Sequence, residues 1–340
     1  MIDNTACKQP SLCSIVIPVY KSEDSLREIA EQVGRLEAET GFCFELIFVN
    51  DSPFYLPTRK ALAEVKTMYD NAEVIELRKN QGQHMATIAG LYYARGNYVI
   101  TMDDDLQNPV KELPKLILAM QEDKTLDAVF AVPGFKNRKD DTPLKTLGSY
   151  MLSRIDTIFL DKPEGLVKSS FRIMTAETAR LLTRNYNATP SVSSLIICFT
   201  RNIKNIRVEH HERPYGKSNY SFFRLFNLSL NNILHYSAFP LKIVGTAGFA
   251  TFVFSVGFVL YTIGRKLLFG ITVPGYTTIV TLVGLLGGMN LLAVGLVGEY
   301  LIRILKEQQK PEIRDLVAAA HLAGEDAREK DSAPGAEELR

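Results

Sequence analysis

Three consecutive carboxylates, Asp103, Asp104 and Asp105, follow the apolar run Tyr98-Val99-Ile100-Thr101-Met102 and precede Leu106-Gln107-Asn108-Pro109. An apolar strand is stabilised by burial, whereas adjacent carboxylates repel one another and resist burial without a partner. The stretch therefore reads as a short buried strand that delivers three acids to its C-terminal edge, where open α/β sheets place their ligands. Strand side chains alternate faces, so Asp103 and Asp105 are expected to point one way and Asp104 another. Two hard oxygen donors on one side suit Mg²⁺ or Mn²⁺, with positions left for water and substrate phosphates. The alternative is a solvated acidic turn closed by Asn108-Pro109.

The elements that must position these acids alternate in type along the first 130 residues. Ser14–Tyr20, Phe44–Asn50, Glu73–Arg78, Asn97–Met102 and Asp127–Val132 are short, nearly continuous apolar runs and are expected as strands. Between them, Ser22–Leu36 carries Leu26, Ile29, Val33 and Leu36 at helical spacing, and Thr58–Tyr69, Gln83–Ala94 and Val110–Glu122 are expected as further helices. Strand–helix alternation with apolar strands predicts a mostly parallel sheet covered on both faces.

Several function classes drop out. The 340 residues hold 39 basic and 38 acidic side chains, a balance that argues against a dedicated nucleic-acid binder. Cys7, Cys13, Cys43 and Cys198 have no C-x-x-C pairing or zinc spacing, which points to free thiols in a reducing compartment. No G-x-G-x-x-G follows the first strand. Gly216-Lys217-Ser218 resembles the tail of a Walker loop, but the earlier glycine position holds His211. No nucleophile elbow marks a Ser-His-Asp site. His210 and His211 would face opposite ways on a strand, so metal ligation by the pair is disfavoured, and His84 and His235 stand apart from them in sequence. The first eleven residues are polar and no signal peptide is expected.

Arg213 and Lys217 lie four residues apart in a polar loop and could converge on phosphate oxygens. From Tyr220 the composition turns apolar and aromatic, with Arg224 the one firm charge before Pro240, which fits a helix in a membrane interface. Residues 243–264 carry no charge, and neither do residues 267–298, which are interrupted at Pro274-Gly275. Each is long enough to span a hydrocarbon core of about 30 Å. Gly284 and Gly288 form a small-x-x-x-small pair suited to close helix approach. Residues beyond 310 are charged and Ala-rich, and a frayed helix with a disordered tail is expected.

Taken together, the chain resembles a family 2 (GT-A fold) glycosyltransferase of the polyprenyl-phosphate branch, the group of dolichol-phosphate mannose synthase and bacterial undecaprenyl-phosphate sugar transferases. The resemblance rests on Ser14–Tyr20, Phe48-Val49-Asn50-Asp51, Asn80-Gln81-Gly82-Gln83 with Ala89-Gly90, Met102–Pro109, Ser170-Phe171-Arg172, and Arg213–Tyr220, in order over roughly residues 14–305. It implies that Asp103, Asp105 and Gln107 hold Mg²⁺ or Mn²⁺ on the diphosphate of a nucleotide sugar, UDP-sugar favoured. It places Pro18, Tyr20, Glu23, Asp51, Gln83 and Asp103 around the nucleotide sugar, and Arg138, Lys145 and Ser149, with Lys139 nearby, around the acceptor. Arg213 and Lys217 join Asp103 and Asp105 in catalysis. The implied reaction transfers one sugar, with inversion, to undecaprenyl phosphate at the cytosolic face of a bacterial plasma membrane, making a lipid-linked donor for cell-envelope glycans.

The sequence departs from this family at three places: Ser52-Pro53 follows Asp51, Asp104 fills a usually small position, and Ser169 stands where an acid is common. The implied organisation is a catalytic domain at 1–218, an interfacial helix at 219–240, a transmembrane hairpin at 241–305 with spans near 243–264 and 276–298, and a cytosolic tail at 306–340. A homo-oligomer is compatible with it. A processive polysaccharide synthase would carry a Gln-x-x-Arg-Trp motif, and the chain has no tryptophan. A degenerate, non-enzymatic membrane scaffold is opposed by Asp103, Asp105, Gln107, Arg213 and Lys217.

Basic residues flank the two uncharged runs on their outer sides, while the loop between them holds only Arg265 and Lys266. Cysteine labels at Gly270 and Glu325 should therefore report opposite sides of the membrane, with Glu325 cytosolic. A same-side result would make one run re-entrant or interfacial.

Overall fold

A computed structural model of the chain describes residues 12–134, 162–188, 190–211, 239–269 and 275–321. The first strands are β1 (Leu12–Val19), β2 (Cys43–Asn50), β3 (Ala72–Leu77), β4 (Tyr98–Thr101) and β5 (Ala128–Pro133). They match the expected apolar runs to within two residues at each end. Burial is nearly continuous along β1 and β2, as a strand covered on both faces requires. The intervening helices are α1 (Asp24–Thr40), α2 (Leu56–Met68), α3 (Gln83–Tyr93) and α4 (Leu113–Glu122), the last entered by a 3₁₀ turn at Val110–Glu112. In α1, Leu26, Ile29, Val33 and Leu36 form the buried stripe, and Gly41 stops the helix at φ 71°.

Three more strands follow: β6 (Arg172–Thr175), β7 (Ile203–Val208) and β8 (Val317–His321), with α5 (Ala176–Arg184) and α6 (Val192–Phe199) between β6 and β7. The eight strands are ordered β7-β5-β6-β4-β1-β2-β3-β8. β1 pairs in parallel with β2 on one side and β4 on the other. That reversal of strand order opens a crevice beyond the carboxyl ends of β1 and β4, the place where open α/β sheets bind ligands. β6 runs antiparallel to both β4 and β5. Its pairing of Thr101 with Arg172 sets Ser170–Arg172 beside the end of β4.

Two close approaches hold this sheet in shape. Gly90 of α3 lies so near the sheet that a Cβ there would sit 2.3 Å from Val16 Cγ1 and 2.9 Å from Val49 Cγ2. At the opposite edge, Glu45 and Glu73 are fully buried and both pair with Arg95, whose Nε lies 2.7 Å from Glu45. A buried carboxylate needs such a partner, so the α3–β4 turn is locked to β2 and β3.

The region beyond 310 departs from expectation. Instead of a frayed helix, Ile313–Leu316 is a short helical turn (α9) and Val317–His321 is a strand pairing antiparallel with β3. Ile313, Leu316 and Val317 are buried, and Arg78 donates from its backbone N–H to Leu316 O at 2.8 Å and from Nε to Asp315 O at 2.9 Å. The open hydrogen-bonding edge of β3 accounts for the difference: small, apolar Val317-Ala318-Ala319-Ala320 can satisfy it, whatever the charge density of the tail that follows.

The chain divides into two compact units, one comprising residues up to Ser221 and from Pro311 onward, the other Phe222–Lys310. The second unit contains α7 (Phe239–Phe269) and α8 (Tyr276–Gln308). Among the described residues one stretch, Leu286–Gln308, is long and apolar enough to cross a membrane. The first expected span, 243–264, lies within α7, and the second, 276–298, overlaps the qualifying stretch in part. Phe254, Leu260, Leu268, Val283 and Leu291 are exposed on these helices. The expected interfacial helix at 219–240 lies outside the described residues except for its last two.

Gly90→Ala should destabilise the first unit by about 1–3 kcal/mol, the usual effect of overpacking a filled core. A lowered urea midpoint with an unchanged slope is the expected result.

Candidate functional site

Strand β4 ends at Thr101, before the acids, so strand alternation does not govern them. They lie on an irregular turn anchored by Met102 N–H to Val16 O at 3.2 Å. Asp103 accepts hydrogen bonds at Oδ1 from Gln83 Nε2 and at Oδ2 from Ser170 Oγ, the latter at 2.6 Å. Asp104 instead accepts from Ser22 Oγ at 2.6 Å, and Asp105 Oδ1 accepts from Gln107 N–H at 3.2 Å. The acids thus divide between two cavities. Asp103 lines one of about 240 Å³, and Asp104 and Asp105 line another of about 350 Å³ together with Lys21–Ser25. The irregular turn, not a strand pleat, sets the directions of the three carboxylates.

Leu106 takes φ 57°, a left-handed conformation costing a branched residue roughly 1–2 kcal/mol. Its side chain is buried, which offsets that strain by about the same amount. The tight turn crowds the carboxylates. Burial, followed by repulsion from Asp103 and Asp105, pushes Asp104 up to about 6, against the opposing hydrogen bonds from Ser22 and the Tyr20 backbone. Oxygen-only donors under mutual repulsion fit a hard divalent cation. Among the described residues no three His, Cys, Asp or Glu side chains converge to hold a metal. The expected set of two carboxylates and the neutral Gln107 does not depend on such a triplet.

Across the crevice, Asp51 accepts from the backbone N–H groups of Gln81 at 2.6 Å and Gly82 at 2.8 Å. Both carboxylate oxygens are therefore engaged in holding the loop that starts α3, where Gly82 adopts φ 84°. Burial raises the Asp51 pKa and these two N–H groups pull it back. Pro18 lines the first cavity beside Gln83, Tyr20 is exposed, and Glu23 accepts from Tyr55 OH at 2.8 Å. Gln107 O accepts from His211 N–H at 2.9 Å, and His210 Nδ1 lies 3.4 Å from Asn108 Oδ1. β7 stops at Val208, so His210 and His211 are not on a strand. Arg138, Lys139, Lys145, Ser149, Arg213, Lys217 and His235 lie outside the described residues.

Sequence reasoning missed the floor of the first cavity. Arg172 lines it while being only 2 % exposed, with Nε donating to Thr101 Oγ1 at 2.9 Å and Nη1 to Ser193 Oγ at 2.6 Å. Its guanidinium carbon stands 5.9 Å from the centre of the Phe130 ring. Burial lowers its pKa to about 10, against the attraction of Asp103. His84, Thr87 and Ser170 complete the polar wall, and desolvation with the charges of Arg172 and Lys168 lowers His84 to about 4. The available signal was the arginine of Ser170-Phe171-Arg172, which by residue type alone reads as solvated. Ser169, in the position where an acid is common, accepts a hydrogen bond at Oγ from Phe171 N–H at 3.2 Å, and among the described residues Asp103 is the one carboxylate lining this cavity.

With this geometry in view, residues 14–179 match the model for the glycosyl transferase family 2 domain. The undecaprenyl-phosphate 4-deoxy-4-formamido-L-arabinose transferase of Proteus mirabilis is 30% identical over 298 residues, spanning 86% of this chain and 89% of that one. The chain belongs to glycosyl transferase family 2. This family 2 enzyme is also 29% identical to the putative glycosyltransferase CsbB of Bacillus subtilis, over 88% of this chain and 89% of that one. In fold it is similar to mannosyl-3-phosphoglycerate synthase from Rubrobacter xylanophilus, with a TM-score of 0.50 at 15% identity, over 69% of this chain and 75% of that one. The expected GT-A-like α/β catalytic fold, with its mostly parallel sheet, is the one observed.

In the glycosyltransferase, Asp51→Asn would turn one acceptor into a donor facing backbone N–H groups. A buried hydrogen bond lost in this way costs about 1–3 kcal/mol. Hydrogen exchange at the Gln81 and Gly82 amides should accelerate accordingly, while the β5 amides stay protected.

Proposed function

We propose that the protein transfers a single sugar from a nucleotide diphosphate sugar, with a UDP-sugar favoured, to a polyprenyl phosphate at the cytosolic face of a bacterial plasma membrane. The observation that carries this reading is the acidic turn at the strand-order reversal, in a chain similar over most of its length to transferases named for undecaprenyl phosphate. Fold alone would not choose the acceptor.

In this reading Asp51 holds the loop before α3 in the shape that receives the nucleotide, beside Pro18, Tyr20 and Glu23. Gln83 and Ser170 orient the Asp103 carboxylate. A divalent cation held by Asp103, Asp105 and Gln107 would neutralise the charge that develops on the departing diphosphate. Arg213 and Lys217 add cationic donors to the same phosphates. A phosphate oxygen of the lipid forms the new bond to the anomeric carbon as the bond to the nucleotide diphosphate breaks, so the configuration inverts. That phosphate is anionic at neutral pH and needs little help from a base, which suits a site with Ser169 in place of an acid. Arg138, Lys145 and Ser149 are assigned to the acceptor.

A catalytic domain at 1–218, an interfacial helix at 219–240 and a hairpin at 241–305 would bring that lipid within reach. The qualifying apolar stretch in α8 supports membrane attachment, and the charge-free residues 243–264 support the second crossing.

Purified protein assayed with a panel of nucleotide sugars and undecaprenyl phosphate tests the reaction. Asp105→Ala should lower activity at least about a hundredfold, the scale of losing one key electrostatic stabiliser. Full activity in the variant, or in excess chelator, would sink the metal assignment. Failure of every nucleotide sugar with the wild type would sink the transfer itself.

A further inference from the structure

Sugar transfer leaves the charge at the bottom of the first cavity without a counterpart. Arg172 is buried, yet its hydrogen bonds run to the neutral hydroxyls of Thr101 and Ser193, and no carboxylate among the described residues forms an ion pair with it. Asp103 attracts it from a distance, but both Asp103 oxygens are turned to Gln83 and Ser170. Arg95 shows the contrast within the same molecule, since it carries two buried carboxylates of its own. A buried cation without a partner is costly to maintain.

The surroundings reinforce the positive potential. Gln83 and His84 belong to the first turn of α3, and Ser193 to the first turn of α6, so two helix N-termini border the cavity. Lys168 stands close by, 3.1 Å from Ser194 Oγ. Burial first, and then the charges of Arg172 and Lys168, keep the His84 ring neutral.

We propose that this cavity is an oxyanion subsite in which Arg172, supported by Lys168 and the first turns of α3 and α6, receives a carboxylate or phosphate oxygen of a substrate. The proposal rests on the transferase reading above and deepens it. At about 240 Å³ the space suits a single sugar ring or a phosphate with a few carbons, not a whole nucleotide. Two sources supply the chemistry: a carboxylate on the transferred sugar, or the phosphate of the lipid acceptor. Arg172 then recognises a substrate oxyanion, in addition to tying Ser193 and Thr101 in place.

Calorimetric titration of the full-length protein in detergent, with Mn²⁺ present, separates these sources. The probes are UDP, UDP-glucose, UDP-glucuronate and a short-chain prenyl phosphate. Ser193→Asp sets a carboxylate where the guanidinium already finds a hydroxyl, so the cation is satisfied from within. Ser193→Ala removes the hydroxyl and leaves the charge. Ser193→Asp should weaken one anionic probe at least tenfold. That probe is UDP-glucuronate, with UDP-glucose unaffected, if the sugar is the source, and the prenyl phosphate if the acceptor is. UDP should bind all three proteins equally, and Ser193→Ala should leave every affinity within a factor of three. The proposal is overturned if both anionic probes bind Ser193→Asp as they bind the wild type. It is also overturned if Ser193→Ala loses as much as Ser193→Asp, or if UDP itself is weakened, which would give Arg172 to the donor diphosphate. Failure of UDP to bind the wild type would sink the UDP preference of the transferase reading instead, and the prenyl phosphate titration would then decide the subsite alone.

Discussion

Asp103 can hold a charge at the mouth of a buried sheet because both of its oxygens have donors, and one donor comes from far along the chain. Ser170 reaches it only because β6 is inserted antiparallel between β4 and β5, with Arg172 opposite Thr101. The same pairing buries Arg172 and lets Thr101 Oγ1 accept from its Nε while donating to Ser170 O at 2.7 Å. A chain of polar contacts therefore runs from the floor of the cavity to the acidic turn. Such networks are rigid when every member is satisfied and fragile when one is removed. The geometry of the site depends on this one strand pairing more than on any residue in it.

The sheet is bounded by two arginines in opposite electrostatic situations. At the amino end of β4, Arg95 meets Glu45 and Glu73 and closes the α3–β4 turn, a structural use of charge. At the carboxyl end, Arg172 has hydroxyls and an open cavity. Between them, the short β4 is held in register by β1 on one side and β6 on the other. Asymmetry of this kind is what distinguishes the stabilising end of an open sheet from its working end, because ligands gather where strand order reverses.

The Asp-Asp-Asp turn concentrates strain and charge in the same few residues. Leu106 adopts a left-handed backbone, and Asp104 is pushed toward its neutral form by burial and by its neighbours. Both are tolerated because Leu106 packs into the core and Ser22 donates to Asp104. Conformations of this sort persist where surrounding structure over-determines them, and they cluster at functional sites.

The amino-acid sequence by itself determined the elements of the first 130 residues, because apolar periodicity and length are local properties of a strand or helix. It also singled out the acidic triplet, since adjacent carboxylates after an apolar run are a conflict visible without coordinates. Tertiary structure alone decided the rest. Arg172 looks like an ordinary charged residue until β6 is seen to lie in the middle of the sheet. That the Asp51 oxygens accept from the Gln81 and Gly82 N–H groups was equally hidden until the loop before α3 was in place. Val317–His321 reads as part of a charged tail until the open edge of β3, more than 230 residues earlier, captures it. The direction of each carboxylate in the turn was likewise illegible, because β4 ends at Thr101 and the period-two rule ends with it. In each case the missing information was a partner distant in sequence, and pairing over such distances is set by the whole sheet rather than by any local pattern.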